Sequence, residues 1–128
     1  MTITSQPISA HALITGMFEI IDGRRWKELG RVMATDCVCR PAGSPPLIGL
    51  ERIERYYREE RAIASGRHQV EGVLSDLGAA ACWGSFTGES MDGKSLHAAI
   101  AEIFLILDGK ITQRTTYVQP SVKPPTGS

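Results

Sequence analysis

Apolar residues along the first twenty positions recur with a helical period. Leu13, Ile14, Met17, Ile20 and Ile21 fall on one face of a helix that stops at Asp22-Gly23, and Ser9 is placed to cap its start. A shorter helix carries Trp26, Leu29, Val32 and Met33, followed by a brief strand over residues 37–40. The Pro/Gly-rich stretch 41–46 cannot be helical. A third helix is predicted over about residues 50–64, with Ile53, Tyr56 and Tyr57 on one side. Glu51/Arg55 and Glu54/Arg58 make i,i+4 pairs on its solvated face, and Gly66 suits its C-terminal cap.

From His68 the period drops to two. His68, Val70, Gly72 and Leu74 alternate with Gln69, Glu71 and Val73, which predicts a half-buried strand. Turns at Leu77-Gly78, Asp92-Gly93 and Asp108-Gly109 separate further strands over residues 79–89, 96–107 and 111–118. Helices first and strands second predict an α+β domain over residues 1–120, three N-terminal helices packed on the inner face of a curved antiparallel sheet. Residues 121–128 read as a disordered tail. The other face of that sheet carries Ala99, Ala101, Ile103, Leu105 and Leu107. A second copy is the simplest cover for so apolar a surface, so a homodimer through the outer sheet face is expected.

Composition narrows the function. At 128 residues the chain is one domain, and its 14 basic and 14 acidic residues cancel. No net field favours nucleic acid or an acidic membrane surface. No apolar run approaches a membrane span, and residues 1–9 lack the features of a signal peptide, which predicts a cytoplasmic protein. Cys37 and Cys39 point the same way from a strand, but no fourth ligand or C-x-x-C spacing accompanies them. All three cysteines read as small core residues, and neither metal nor cofactor is expected.

Strand parity selects the candidate chemistry. If Leu77-Gly78 and Asp92-Gly93 are two-residue loops, His68, Trp83, Ser85, Thr87, Ile100, Glu102, Phe104 and Ile106 share the apolar inner face. Glu102, between Ile100 and Phe104, is then a carboxylate in a greasy wall. It is either an acid with a raised pKa or the partner of a cation such as Arg114 or Arg40. His68 has the unperturbed pKa best placed for proton transfer. Asp22 sits at the wrong end of the helix dipole for local stability; it either orients His68 or simply starts the turn at Gly23. A two-residue loop at Asp108-Gly109 turns Arg114 outward, whereas a three-residue loop turns it inward, opposite Glu102. His97 has outward parity, and His11 lies in an exposed first turn.

These residues resemble the ketosteroid-isomerase-like, or SnoaL-like, superfamily of cone-shaped α+β barrels. The resemblance runs from about Leu13 to Val118. It rests on Phe18-Glu-Ile-Ile-Asp22 before Trp26, the segment from Asp36 to Gly49, Ile53-Glu-Arg-Tyr-Tyr57, Arg67-His68, Phe86-Thr-Gly88 and the segment from Glu102 to Ile111. Ketosteroid isomerases carry a catalytic tyrosine where this chain has Met17 and a general-base aspartate where it has Arg40. Only their second acid finds a match, at Glu102. Scytalone dehydratase and a related dehydrochlorinase match better, at Asp22 and His68, although a second histidine of the former falls near Trp83. The isomerase pattern also favours Arg114 inside the cone.

The resemblance implies a cofactor-independent lyase, isomerase or cyclase acting on a small, largely apolar carbonyl or hydroxyl compound. His68 would be the base, Asp22 its orienting partner, Glu102 the acid, and Arg40 a charge stabiliser. Met17, Phe18, Tyr57, Trp83, Phe104 and Arg114 would shape the substrate cavity. The alternative is a non-catalytic binding protein or accessory subunit of the same fold. Epoxide hydrolysis by an Asp-Arg-Asp arrangement lacks its second carboxylate here.

Overall fold

The computed structural model describes residues 9–120. Helix α1 spans Ala10–Asp22, and the Ser9 hydroxyl accepts from the Ala12 amide at 3.0 Å, as its capping position predicts. A 3-10 turn, Trp26–Arg31, leads into strand β1, Met33–Arg40. Strand β2, Leu47–Ile48, and helix α2, Leu50–Arg55, follow. The last helix does not run on to residue 64. It widens into a π-helical turn, Tyr56–Glu60, closed by the Arg61 amide donating to the Tyr56 carbonyl. The expected Glu51/Arg55 and Glu54/Arg58 pairs are not formed; Arg52 and Arg55 both reach back to Glu60.

Four long strands complete the chain: β3, Ile63–Asp76; β4, Ala79–Ser90; β5, Ser95–Leu107; and β6, Lys110–Pro120. The sheet order is β2-β1-β6-β5-β4-β3. Strands β3 to β6 form the expected antiparallel meander, but β1 lies parallel to β6, so the sheet is mixed. That pairing joins residues over seventy positions apart, and no local pattern encodes its direction. Gly66, expected as a helix cap, lies inside β3.

Three irregularities set the register. Leu77-Gly78 is a two-residue loop with both residues at positive φ, as the I′ turn of a hairpin requires. Pairing then slips by one residue between Val70 and Gly72, so Val73 rather than Leu74 turns inward, and Leu74 is exposed. The turn at Asp92-Gly93 has three residues, with Glu89 opposite Ser95. Asp108-Gly109 is a two-residue loop, followed by a slip between Leu105 and Ile106. Such bulges bend the strands they interrupt, and here they curl the meander around the helices.

The helices fill the concave side. Leu13, Ile14, Met17 and Ile21 of α1 pack with Leu29, Ile53, Phe104 and Ile111, and all are almost fully buried. Each such side chain contributes roughly 1.5–3 kcal/mol through burial. Cys37, Cys39 and Cys82 are buried thiols within this core. The convex face is bare, as the sequence predicts for Ile103, Leu105 and Leu107; these three, Tyr117 and Trp83, the last expected inside, are 42–65% exposed. Among the described residues no helix is long and apolar enough to cross a membrane. The tail at 121–128 lies outside the described residues.

Candidate active site

Asp22 closes α1 against β3, where His68 sits. Just beyond it Arg24 takes a left-handed conformation, φ 57°, and its guanidinium donates to the Ala64 carbonyl at 2.7 Å. This latch fixes the helix end against the strand. The Asp22 carboxylate accepts from the His68 backbone amide at 2.7 Å through one oxygen and meets His68 Nδ1 at 2.6 Å through the other. A carboxylate can only accept, so Nδ1 carries a proton, and in the neutral ring Nε2 carries the free lone pair. Phe18 stacks on the imidazole at 4.4 Å between centroids, and Phe86 tilts against it at 4.8 Å. Gly66 makes room for that second ring: a Cβ there would lie 2.2 Å from Phe86 Cζ.

A second ionic group lies deeper in the cone. Glu102, 1% exposed, accepts from Arg114 Nε at 2.5 Å and Nη2 at 2.9 Å, and Arg114 Nη1 donates to the Tyr57 hydroxyl at 2.6 Å. Burial alone would lower the Arg114 pKa, but Glu102 and Tyr57 outweigh it and hold the guanidinium well above its ordinary value. Burial pushes the Tyr57 phenol up, against the opposing pull of Arg114 and Arg61. The phenol therefore keeps its proton. Having accepted from Arg114, it retains a hydrogen to donate.

Both groups border one cavity of about 330 Å³, lined by His68, Tyr57, Phe86, Ile100, Glu102 and Arg114 among others. Pro41 and Ala42 of the β1–β2 loop and Leu96 lie at its walls. Glu102 is its only carboxylate among the described residues. A wider, more open groove runs outside between α1 and β3, past His11, Glu19 and Arg67, and reaches Asp22 and His68 from the other side.

Several predicted positions need correction. Trp83 pairs with Ala101 rather than Glu102 and lies on the convex face, 43% exposed. The three-residue turn moved all of β4 by one position, so Cys82, Gly84 and Phe86 face inward in place of Trp83, Ser85 and Thr87. His68 survives because the slip in β3 displaces it in the compensating sense, opposite Phe86. Arg40 is exposed and donates to the Gln113 side chain at 3.1 Å, away from the cavity. Alternation along β1 buries Cys39 and turns its neighbour out. Met17 and Phe104 are fully buried core residues that do not line the cavity. Arg114 does point inward, but through the slip in β5–β6 rather than a longer loop; it pairs with Phe104, diagonal to Glu102. Glu102 is the partner of a cation, not a free acid.

Among the cavity residues that the sequence does not place there are Phe86, which the expected register turns outward, and Arg61, which falls within the predicted third helix. A cation four positions after Tyr57, one turn along on the same side, was the available signal for Arg61.

With this geometry in hand, likeness to known proteins becomes informative. A SnoaL-like domain model matches residues 14–114. The chain belongs to the SnoaL-like family. Among solved structures, a ketosteroid isomerase-like fold protein from Catenulispora acidiphila, crystallised with trimethylamine, superposes with a TM-score of 0.76 at 15% identity. That match covers 85% of this chain and 86% of the other. A provisionally named SnoaL-like polyketide cyclase from Jannaschia gives 0.74 at 12% identity, covering 89% and 91%. A LEH-like epoxide hydrolase from M. tuberculosis gives 0.73 at 13%, covering 84% and 80%. At these identities the likeness shows the shared cone fold, and that fold carries isomerase, cyclase and hydrolase names alike. No curated protein matches the sequence significantly.

Proposed function

We propose that this SnoaL-like protein is a cofactor-independent lyase, isomerase or cyclase acting by acid–base chemistry on a small, largely apolar carbonyl or hydroxyl compound. The Asp22–His68 pair, with its imidazole at the wall of the cavity, carries the proposal. His68 Nε2 removes a proton from carbon, and Asp22 stabilises the imidazolium that results. Tyr57, held by Arg114 and through it by Glu102, donates a hydrogen bond to the oxygen on which negative charge develops. The imidazolium then returns its proton to another carbon or to a departing hydroxyl. Phe18 and Phe86 keep the ring's faces dry.

The test is solvent-deuterium exchange at the α-carbon of cyclic ketones and polyketide-like diketones, followed by NMR. Exchange with wild type and its loss in His68→Gln is the expected result; exchange unaffected by that substitution removes the base. One observation favours the rival reading, a binding protein: Glu102 and Arg114 are almost fully buried and paired with each other. Ligands that bind in the cavity without any exchange would support it.

A second copy of the chain covers the convex face in this proposal, because Trp83, Ile103, Leu105 and Tyr117 form an exposed apolar sheet surface. Leu105→Glu is expected to convert a dimer to monomer in sedimentation equilibrium; a wild-type monomer would refute the pairing.

A further inference from the structure

The cavity lining holds two guanidinium groups and one carboxylate; Asp22, whose charge Arg61 also feels, is outside that lining and is bonded to His68. Glu102 neutralises Arg114, whose Nε, Nη1 and Nη2 all have protein partners. Arg61 also lines the cavity, and among the described residues no carboxylate lies within ion-pair distance of it and no side-chain hydrogen bond is made by it. Its guanidinium instead rests over the Tyr57 ring at 5.1 Å and the Phe86 ring at 5.6 Å. No buried side-chain nitrogen of the described residues lacks a partner, so the Arg61 donors open onto the cavity or its mouth. The fold holds the cation in place by aromatic stacking yet leaves its donor fork unused.

Its position relates it to the proposed base. Phe86 touches both Arg61 and His68, one ring bridging the two groups along a single wall. The π-helical turn sets this arrangement, carrying Arg61 back over Tyr57 before β3 begins. A guanidinium fork matches a carboxylate bidentately, and such a pair is strongest where water is partly excluded.

We infer that the cavity takes a small apolar ligand bearing a carboxylate, with Arg61 binding that carboxylate and so turning the ligand's reacting carbon toward His68. Arg61 is a specificity and positioning residue here; the substrate class rests on the acid–base reading, but the binding preference does not.

Calorimetric titration with 2-naphthoate and its neutral isostere 2-naphthamide tests it. The carboxylate should bind wild type at least about tenfold more tightly than the amide. Arg61→Gln should abolish that preference and Arg61→Lys restore part of it, with circular dichroism confirming that both variants fold. Arg67→Gln, which changes an exposed cation in the outer groove, should leave the preference intact. His68→Gln should also keep it, which separates anion binding from catalysis: loss of exchange with retained preference leaves this inference standing. Equal binding of acid and amide by wild type, no binding of the acid at millimolar concentration, or an undiminished preference in Arg61→Gln would overturn it.

Discussion

The cone holds two acid–cation or acid–imidazole pairs that look alike on paper and differ in what they leave free. Asp22 and His68 meet at the mouth of α1, where the Asp22 side chain is 20% exposed, and their contact consumes only one ring nitrogen. Glu102 and Arg114 lie at 1% and 6% side-chain exposure, and their contacts consume every nitrogen of the guanidinium. In the neutral ring the first pair retains an unused lone pair; in the second every guanidinium nitrogen has a partner, one of them the hydroxyl of Tyr57. Incomplete satisfaction leaves a group free to react, and by that criterion the proposed base belongs to the first pair.

Four substitutions sharpen this contrast. His68→Gln should lower turnover by about 10²–10⁴-fold while leaving the fold in place, because it removes the proposed base but no buried charge; steady-state rates beside a urea melt check both halves. Glu102→Leu should instead cost about 3–5 kcal/mol of stability by stranding a buried guanidinium. The double change Glu102→Leu/Arg114→Met should recover much of that loss in the same denaturation assay. A Glu102→Leu protein as stable as wild type would mean that the pair is not sealed in solution. Tyr57→Phe sits between the two, leaving Arg114 Nη1 without its acceptor for about 1–3 kcal/mol and slowing turnover without weakening a neutral ligand.

The smallest effect concerns alkaline pH. Burial first, and the nearby Glu102 second, push the Cys82 thiol up to about 12. A group whose folded pKa is raised keeps its proton in the native state after the unfolded chain has lost it. Its stabilisation is therefore present below the ordinary thiol value and lost as pH rises from about 9 toward 12. Cys82→Ala should flatten the decline in stability over that window; an unchanged slope would leave Tyr57 and Cys37, both raised in the same direction, as the titrating groups.

Much of this architecture was written in local pattern. The α1 stripe, its Ser9 cap and its end at Asp22 are each visible in sequence because a helix buries one face and must satisfy its own terminal amides. The four strands, the I′ turns and the apolar convex face follow from two-residue alternation and from glycine at positive φ. Alternation puts His68 and Glu102 on one inner face, and both line the cavity. That placement depended on two register errors that cancelled, whereas Trp83 and Phe86, which sit between them, exchanged places.

Tertiary structure alone decided the rest. Bulges at Val70/Gly72 and Leu105/Ile106 shift the register by one residue without altering the alternating composition, so they choose which neighbour faces the cavity while remaining invisible in hydropathy. The parallel pairing of β1 with β6 turned Arg40 outward beside Gln113. Whether Asp22 met an imidazole, whether Glu102 found a cation and whether Arg61 found none are questions of distance across the fold. A chain's local preferences fix the faces of its elements; only their assembly fixes which charges end up together.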